Sequence, residues 1–137
     1  MNLAPGMTLE RAYTVTYDLT AAALVEADGS ETFALPAVWA TPDMIGKMEV
    51  VAAALVAPHL PDGQISVGAR NEISHLAATP VGMTVRVRAT LDVVDGRKLI
   101  FAVEALDEVE RVGEGFHIRY VVDRARFESR LAVKARA

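Results

Sequence analysis

The sequence predicts an α+β fold in which one long helix packs against a single curved antiparallel sheet. Three observations point there. Four stretches alternate apolar and polar residues at period two, a single helical stretch interrupts them near the first third of the chain, and Asp95-Gly96 marks a tight hairpin among the later strands. One strand, one helix and then a run of strands is the element order of a helix laid on an antiparallel sheet.

The first strand is read from Leu9 to Leu19, where Leu9, Tyr13, Val15, Tyr17 and Leu19 alternate with Glu10, Thr14, Thr16 and Asp18. Thr20 to Val38 is mixed, with Asp28-Gly29 as a turn signal and Pro36 as a breaker, and reads as a loop with one short helical turn. At Thr41-Pro42-Asp43 an N-cap residue, a first-turn proline and a first-turn acid coincide, so a helix starts there and runs to about Ala57, stopped by Pro58. Gln64 to Thr79 forms the next strand, with Ile65, Val67, Ala69, Asn71, Ile73, His75 and Ala77 in register toward the helix. Met83 to Val94 follows, placing Val85, Val87, Ala89, Leu91 and Val93 opposite Arg86, Arg88, Thr90 and Asp92. Lys98 to Glu108 is the return strand. Glu114 to Phe127 alternates through Phe116, Ile118, Tyr120 and Val122, which turns His117 and Arg119 to the other face, toward solvent, an interface or a ligand. The basic tail, Arg124, Arg126, Arg130, Lys134 and Arg136, reads as a solvated terminus.

Composition bounds the function. The 137 residues fit a single domain over 1–137, and a 52% hydrophobic, 23% charged composition is that of a globular chain. A net charge of −4 offers no global attraction to nucleic acid or to an anionic membrane. Without cysteine there are no disulfides, thiolate metal sites or cysteine nucleophiles. The N-terminal residues lack a secretion-signal pattern, and the apolar run Val50 to Leu60 is shorter than the ~20 residues that cross a bilayer. The expectation is a soluble, cytoplasmic protein with no nucleic-acid or membrane partner.

One residue of the helix stands out. Glu49 has Ile45, Gly46, Ala52 and Ala53 as its i±3 and i±4 neighbours, so it lies on a face of small and apolar groups. Two roles are open to it: a carboxylate at the edge of the apolar stripe, paired with Lys47 or an arginine, or a desolvated acid–base or nucleophilic group beside space for a ligand. Gly46 favours the second, because a glycine inside a helix costs about 0.5–1 kcal/mol relative to alanine and so implies close approach of a backbone or substrate. His75 falls on the helix-facing side of its strand, either as a hydrogen-bonded core residue or as an acid–base partner of Glu49. Thr41 is explained by capping alone, yet the same helix end can also hold an oxyanion or a polarised carbonyl. Thr41 and Glu49 are eight residues apart, about 12 Å along a helix at ~1.5 Å per residue. Two copies of the helix would bring them to one carbonyl more simply than one, which makes the site dimeric. Phosphate-cradling glycine loops, nucleophile-elbow serines and His-rich metal spacings are absent.

The stretches ATPDMIGKME and GQISVGARNEISHLAATPVGMTVRV, flanked by DVVDGRKL and VGEGFHIR, resemble the fluoroacetyl-CoA thioesterase-like family of hot-dog-fold proteins over roughly Pro5 to Phe127. The resemblance implies a hot-dog fold and hydrolysis of a short acyl-CoA, with Thr41, Glu49 and His75 as the catalytic set and Gly68 beside the acyl group. It implies a homodimer whose sheets join back to back and whose sites lie near the interface, with pairing into a tetramer left open. Metals and bound cofactors are not implied; coenzyme A is part of the substrate. The specialised fluoroacetyl-CoA enzyme is rich in phenylalanine before the helix, whereas Leu35 and Trp39 stand here beside Phe33. Leu35, Trp39 and Gly46 are expected to contact the substrate, and whether the acyl group is fluoroacetyl is left open while thioester hydrolysis stands. Other outcomes for the same residues are a hydratase or dehydratase acting on an enoyl thioester and a non-catalytic acyl-CoA-binding protein.

Overall fold

A computed structural model describes all 137 residues. Strand β1 (Thr8–Thr14) is followed by α1 (Ala21–Asp28), the long α2 (Thr41–Val56), strands β2 (Gln64–His75), β3 (Thr84–Asp95), β4 (Lys98–Leu106) and β5 (Arg111–Asp123), and a C-terminal α3 (Arg124–Ala135). The five strands form one sheet in the order β1-β3-β4-β5-β2, and each adjacent pair is antiparallel.

Helix α2 lies on one face of this sheet because its stripe of Met44, Met48, Val51, Ala52, Leu55 and Val56 meets Val85, Val87, Ala89 and Leu91 of β3 and Leu99, Phe101, Val103 and Ala105 of β4. All of these are buried. Gly113 of β5 is part of the same fit: a Cβ there would run into the Met44 sulfur, so glycine lets the helix settle onto the strand.

Several elements differ from the sequence expectation, each for a local reason. Strand β1 stops at Thr14, and Tyr17–Leu19 forms a 3₁₀ turn. The segment read as a loop contains α1, a two-turn helix whose N-terminus is capped by the Thr20 hydroxyl, accepting from Ala23 N at 3.2 Å, and whose C-terminus ends on Gly29 at φ 78°. Val93 is exposed because a bulge between Leu91 and Val93 reverses the alternation of β3. The basic tail is helical as α3, with Asp123 as its N-cap. Helix α2 itself begins on Ala40 as the N-cap; Thr41 is the first helical residue and its side chain caps nothing.

Candidate active site

Because Thr41 does not cap, its hydroxyl is free for another partner. It lies 2.7 Å from Nδ1 of His75, at the end of β2. Trp39 packs edge-on against the same imidazole, with ring centroids 6.4 Å apart, and its indole N–H donates to Asp43 at 2.7 Å. Helix start and imidazole are thus tied together through the indole. Burial lowers the pKa of His75 below its ordinary value, with the backbone of Ala77 working against it, so the ring is neutral at pH 7. Its Nε2 is buried without a hydrogen-bond partner. Thr41, His75, Trp39, Val38 and Ala21 line an open cleft of about 380 Å³.

Glu49 belongs to a second group. Two turns along α2, it faces β2 and β5 and keeps 37% of its side-chain surface exposed. Lys47 pairs with Asp43 at 3.2 Å instead, leaving Arg119 of β5 as the cation nearest the Glu49 carboxylate, with Nη1 4.0 Å from Oε1. Gly68 sits against the same carboxylate: a Cβ there would come within 2.5 Å of Glu49 Oε1. Strict alternation puts Gly68 on the wrong side of the sheet for this. The reason is a bulge between Gly68 and Arg70, which changes the phase of β2. Past the bulge Asn71, Ile73 and His75 face the helix side as expected; before it Gly68 and Ser66 do so, paired with Arg119 and Val121, and Ile65 and Val67 turn outward.

The expected faces of β5 are inverted. His117 and Arg119 point inward and are buried, whereas Tyr120 is exposed and Phe116 lies on the outer side under the Arg70 guanidinium, 5.7 Å away. Hydrogen bonds make the polar interior tolerable. Arg119 Nε donates to Ser66 Oγ at 2.8 Å and Nη2 to the Ser66 carbonyl at 3.0 Å, while Nη1 lies 3.1 Å from His117 Nε2. Burial pulls the Arg119 pKa below its ordinary range and Glu49 opposes that pull. Burial also lowers His117, with the Arg119 charge acting in the same direction and the Arg70 carbonyl and Glu49 against.

Two further expectations are modified. Trp39 is only 1% exposed and packs into the core and against the His75 ring while lining the cleft, and Phe33 and Leu35 are exposed. No atom lies within 4 Å of a Cβ placed on Gly46, so within one chain no close approach explains this glycine. Nor do Glu49 and His75 bond to each other within one chain; each has its own partners. The largest concavity, about 610 Å³, lies on the outer sheet face among Glu72, Ser74, Arg88, Thr90, Asp92 and Glu104, away from these groups, and Arg88 and Glu104 there are already ion-paired. No three His, Asp or Glu side chains converge in a metal-binding arrangement.

The fold is that of the hot-dog thioesterase superfamily: a Thermus thermophilus protein described as a thioesterase superfamily member superposes with a TM-score of 0.88 at 27% identity, over 99% of this chain and 97% of its own. Residues 15–125 match the family model described as fluoroacetyl-CoA-specific thioesterase, and the chain belongs to that family. The fluoroacetyl-CoA thioesterase of Streptantibioticus cattleyicolor is 40% identical over 102 residues, covering 74% of this chain and 73% of that enzyme. A variant of the fluoroacetyl-CoA thioesterase FlK, solved with acetyl-CoA, superposes with a TM-score of 0.89 at 34% identity over 96% and 98% of the two chains.

Proposed function

We propose that this protein hydrolyses short acyl-CoA thioesters to the free acid and coenzyme A. The observation that carries the reading is the placement of Glu49, a carboxylate among small and apolar helix neighbours, against Gly68 and Arg119 at an open edge of the fold. Attack on the thioester carbonyl breaks the C–S bond and releases the coenzyme A thiolate, which takes up a proton. A water deprotonated by the carboxylate yields the free acid directly, whereas attack by the carboxylate itself leaves a mixed anhydride on Glu49 that water then hydrolyses to the acid and the regenerated carboxylate. Thr41 with the free N–H groups of the helix start would polarise the carbonyl oxygen, and neutral His75 would carry the proton. Coenzyme A enters as substrate; the chemistry calls for no resident cofactor or metal.

The two groups, Thr41–His75 and Glu49–Arg119, complete each other in a homodimer. Strand β2 has a free outer edge, exposed from Gly68 to Glu72, and an exposed edge is a template for pairing. Antiparallel self-pairing about a twofold axis near Asn71 and Glu72 would set Gly68, with its Glu49, opposite His75 of the partner subunit. The outer sheet face is crossed by ion pairs of Arg86, Arg88 and Arg111 with Glu10 and Glu104, which favours edge pairing over sheets joined back to back. Further pairing into a tetramer would use a different surface. Phe33 and Leu35, exposed in the segment that leads to Val38 and Trp39 of the cleft, would offer a small acyl group less aromatic surface than the phenylalanine-rich segment of the specialised enzyme, so acetyl and fluoroacetyl thioesters should be handled more evenly. The absence of cysteine suits a reducing cytoplasm, and no helix is long and apolar enough to cross a membrane.

Thiol release from acetyl-CoA, fluoroacetyl-CoA and longer acyl-CoAs tests the reading. Glu49→Gln should lower kcat by at least about a hundredfold, the scale of losing an essential acid–base group. Undiminished turnover in that variant, or loss of the enoyl absorbance of crotonyl-CoA without thiol release, would contradict it.

A further inference from the structure

We propose that His117 is a positioning residue that holds the Arg119 guanidinium against Glu49 through a neutral imidazole of fixed tautomer. The inference rests on the thioesterase reading for its effect on turnover, but the arrangement itself is read from geometry.

Arginine has donors and no acceptor. The 3.1 Å contact between Arg119 Nη1 and His117 Nε2 therefore requires a lone pair on Nε2. The ring proton is then on Nδ1, which donates to the Arg70 carbonyl at 3.0 Å, directly past the β2 bulge. The ring has no freedom to choose otherwise. Phe101 of β4 stacks on it with centroids 6.1 Å apart, which fixes its plane. Ser66 takes the other two directions of the guanidinium, so Nη1 is the one arm left between His117 and the Glu49 carboxylate.

The charged groups around His117 are few. Glu49 faces it from α2 and Arg119 from its own strand, while β2 offers the Arg70 carbonyl and β4 the uncharged Phe101. A proton on Nε2 would remove the acceptor and set a second cation against Arg119. The guanidinium would swing away, and the Glu49 carboxylate would lose the cation that orients it. Neutral His117 thus acts on the reaction through Arg119, without touching the substrate.

Long-range ¹H–¹⁵N spectra of the imidazoles, combined with kinetics of His117→Phe and His117→Gln on an acyl-CoA substrate, test this. The wild-type ring should show the Nδ1–H tautomer at pH 7.5. His117→Phe retains the stacking on Phe101 but lacks the acceptor, and should fold with kcat down at least about tenfold, the scale of a misplaced catalytic group. His117→Gln supplies an acceptor and a donor that do not titrate; it should recover kcat to within about threefold of wild type and remove one ionisation from the acid limb of the pH profile. An Nε2–H tautomer overturns the proposal, as does a His117→Phe protein with wild-type kcat and an unchanged acid limb. If the wild type turns over no acyl-CoA, the thioesterase reading fails, and the tautomer still decides the hydrogen-bond assignment.

Discussion

Gly68 is where the chemistry of this fold is most exposed to a single atom. Its backbone conformation suits any residue, since it does not lie in the left-handed region, but a methyl group there would press on the Glu49 carboxylate oxygen. Gly68→Ala should therefore leave the thermal midpoint nearly unchanged while lowering kcat by roughly ten- to a hundredfold, because the displaced side chain is a flexible carboxylate rather than backbone. A variant with wild-type kcat would show that Glu49 tolerates a shift and that its position is less demanding than the packing implies. Thr41 offers a complementary case. Its hydroxyl is committed to His75 rather than to capping, so Thr41→Ser should keep most of the activity and Thr41→Val should lose it with little loss of stability. A Thr41→Val protein that unfolds several degrees earlier would instead return the residue to a capping role.

At the scale of elements, the contact between α2 and β5 is tight enough to predict from. Gly113→Ala would drive a Cβ into the Met44 sulfur, in the middle of the core, and overpacking of that kind costs about 1–3 kcal/mol. Chemical denaturation would register it; an unchanged midpoint would mean the helix can lift from the strand freely. The same elements show what the sequence makes legible. Helix α2, the β3–β4 hairpin and the apolar stripes that join them follow from periodicity and turn chemistry, and Glu49 is conspicuous because nothing apolar requires a carboxylate there. Alternation fails at the bulge near Ala69, where one inserted residue changes the phase of β2 without leaving any compositional trace. It fails again on β5, where Phe116 and Tyr120 lie on the outer face and the polar His117 and Arg119 are buried among hydrogen bonds to Ser66 and Arg70. Only the neighbouring strand supplies those bonds, so a one-dimensional pattern cannot show them. For α1 the signals were present: Thr20 and Gly29 bracket eight residues as caps. The resemblance to a known family implies that Gly68 lies beside the acyl group; its position against Glu49 is seen only in the structure, since period-two counting faces it away.

For the whole molecule, burial sets the response to acid. His75 and His117 both have lowered pKa values, so the stability they confer while neutral is fully present above the ordinary histidine value near ~6.5 and is lost as the pH falls through their lower folded values. Asp107 titrates lower: burial works to raise it, but N–H donors from Val109 and Glu110 and the Thr79 hydroxyl outweigh that and lower it, so its contribution is lost only at more acidic pH. Thermal midpoints should therefore begin to drop in the weakly acidic range, and a double His75→Asn, His117→Gln variant should flatten that first drop. A midpoint constant from pH 7.5 to 5 would contradict the assigned burial of both rings. Thr41 with His75 and Glu49 with Arg119 form separate groups in each chain, which the proposed homodimer would bring together across the β2 edge. Mixing an inactive Glu49→Gln protein with an inactive His75→Ala protein under subunit exchange tests this directly. If the groups come from different subunits, random pairing restores one intact site in half of the dimers, and activity should return to about a quarter of wild type. Mixtures that stay as inactive as their components after verified exchange would show that each chain carries its whole site alone.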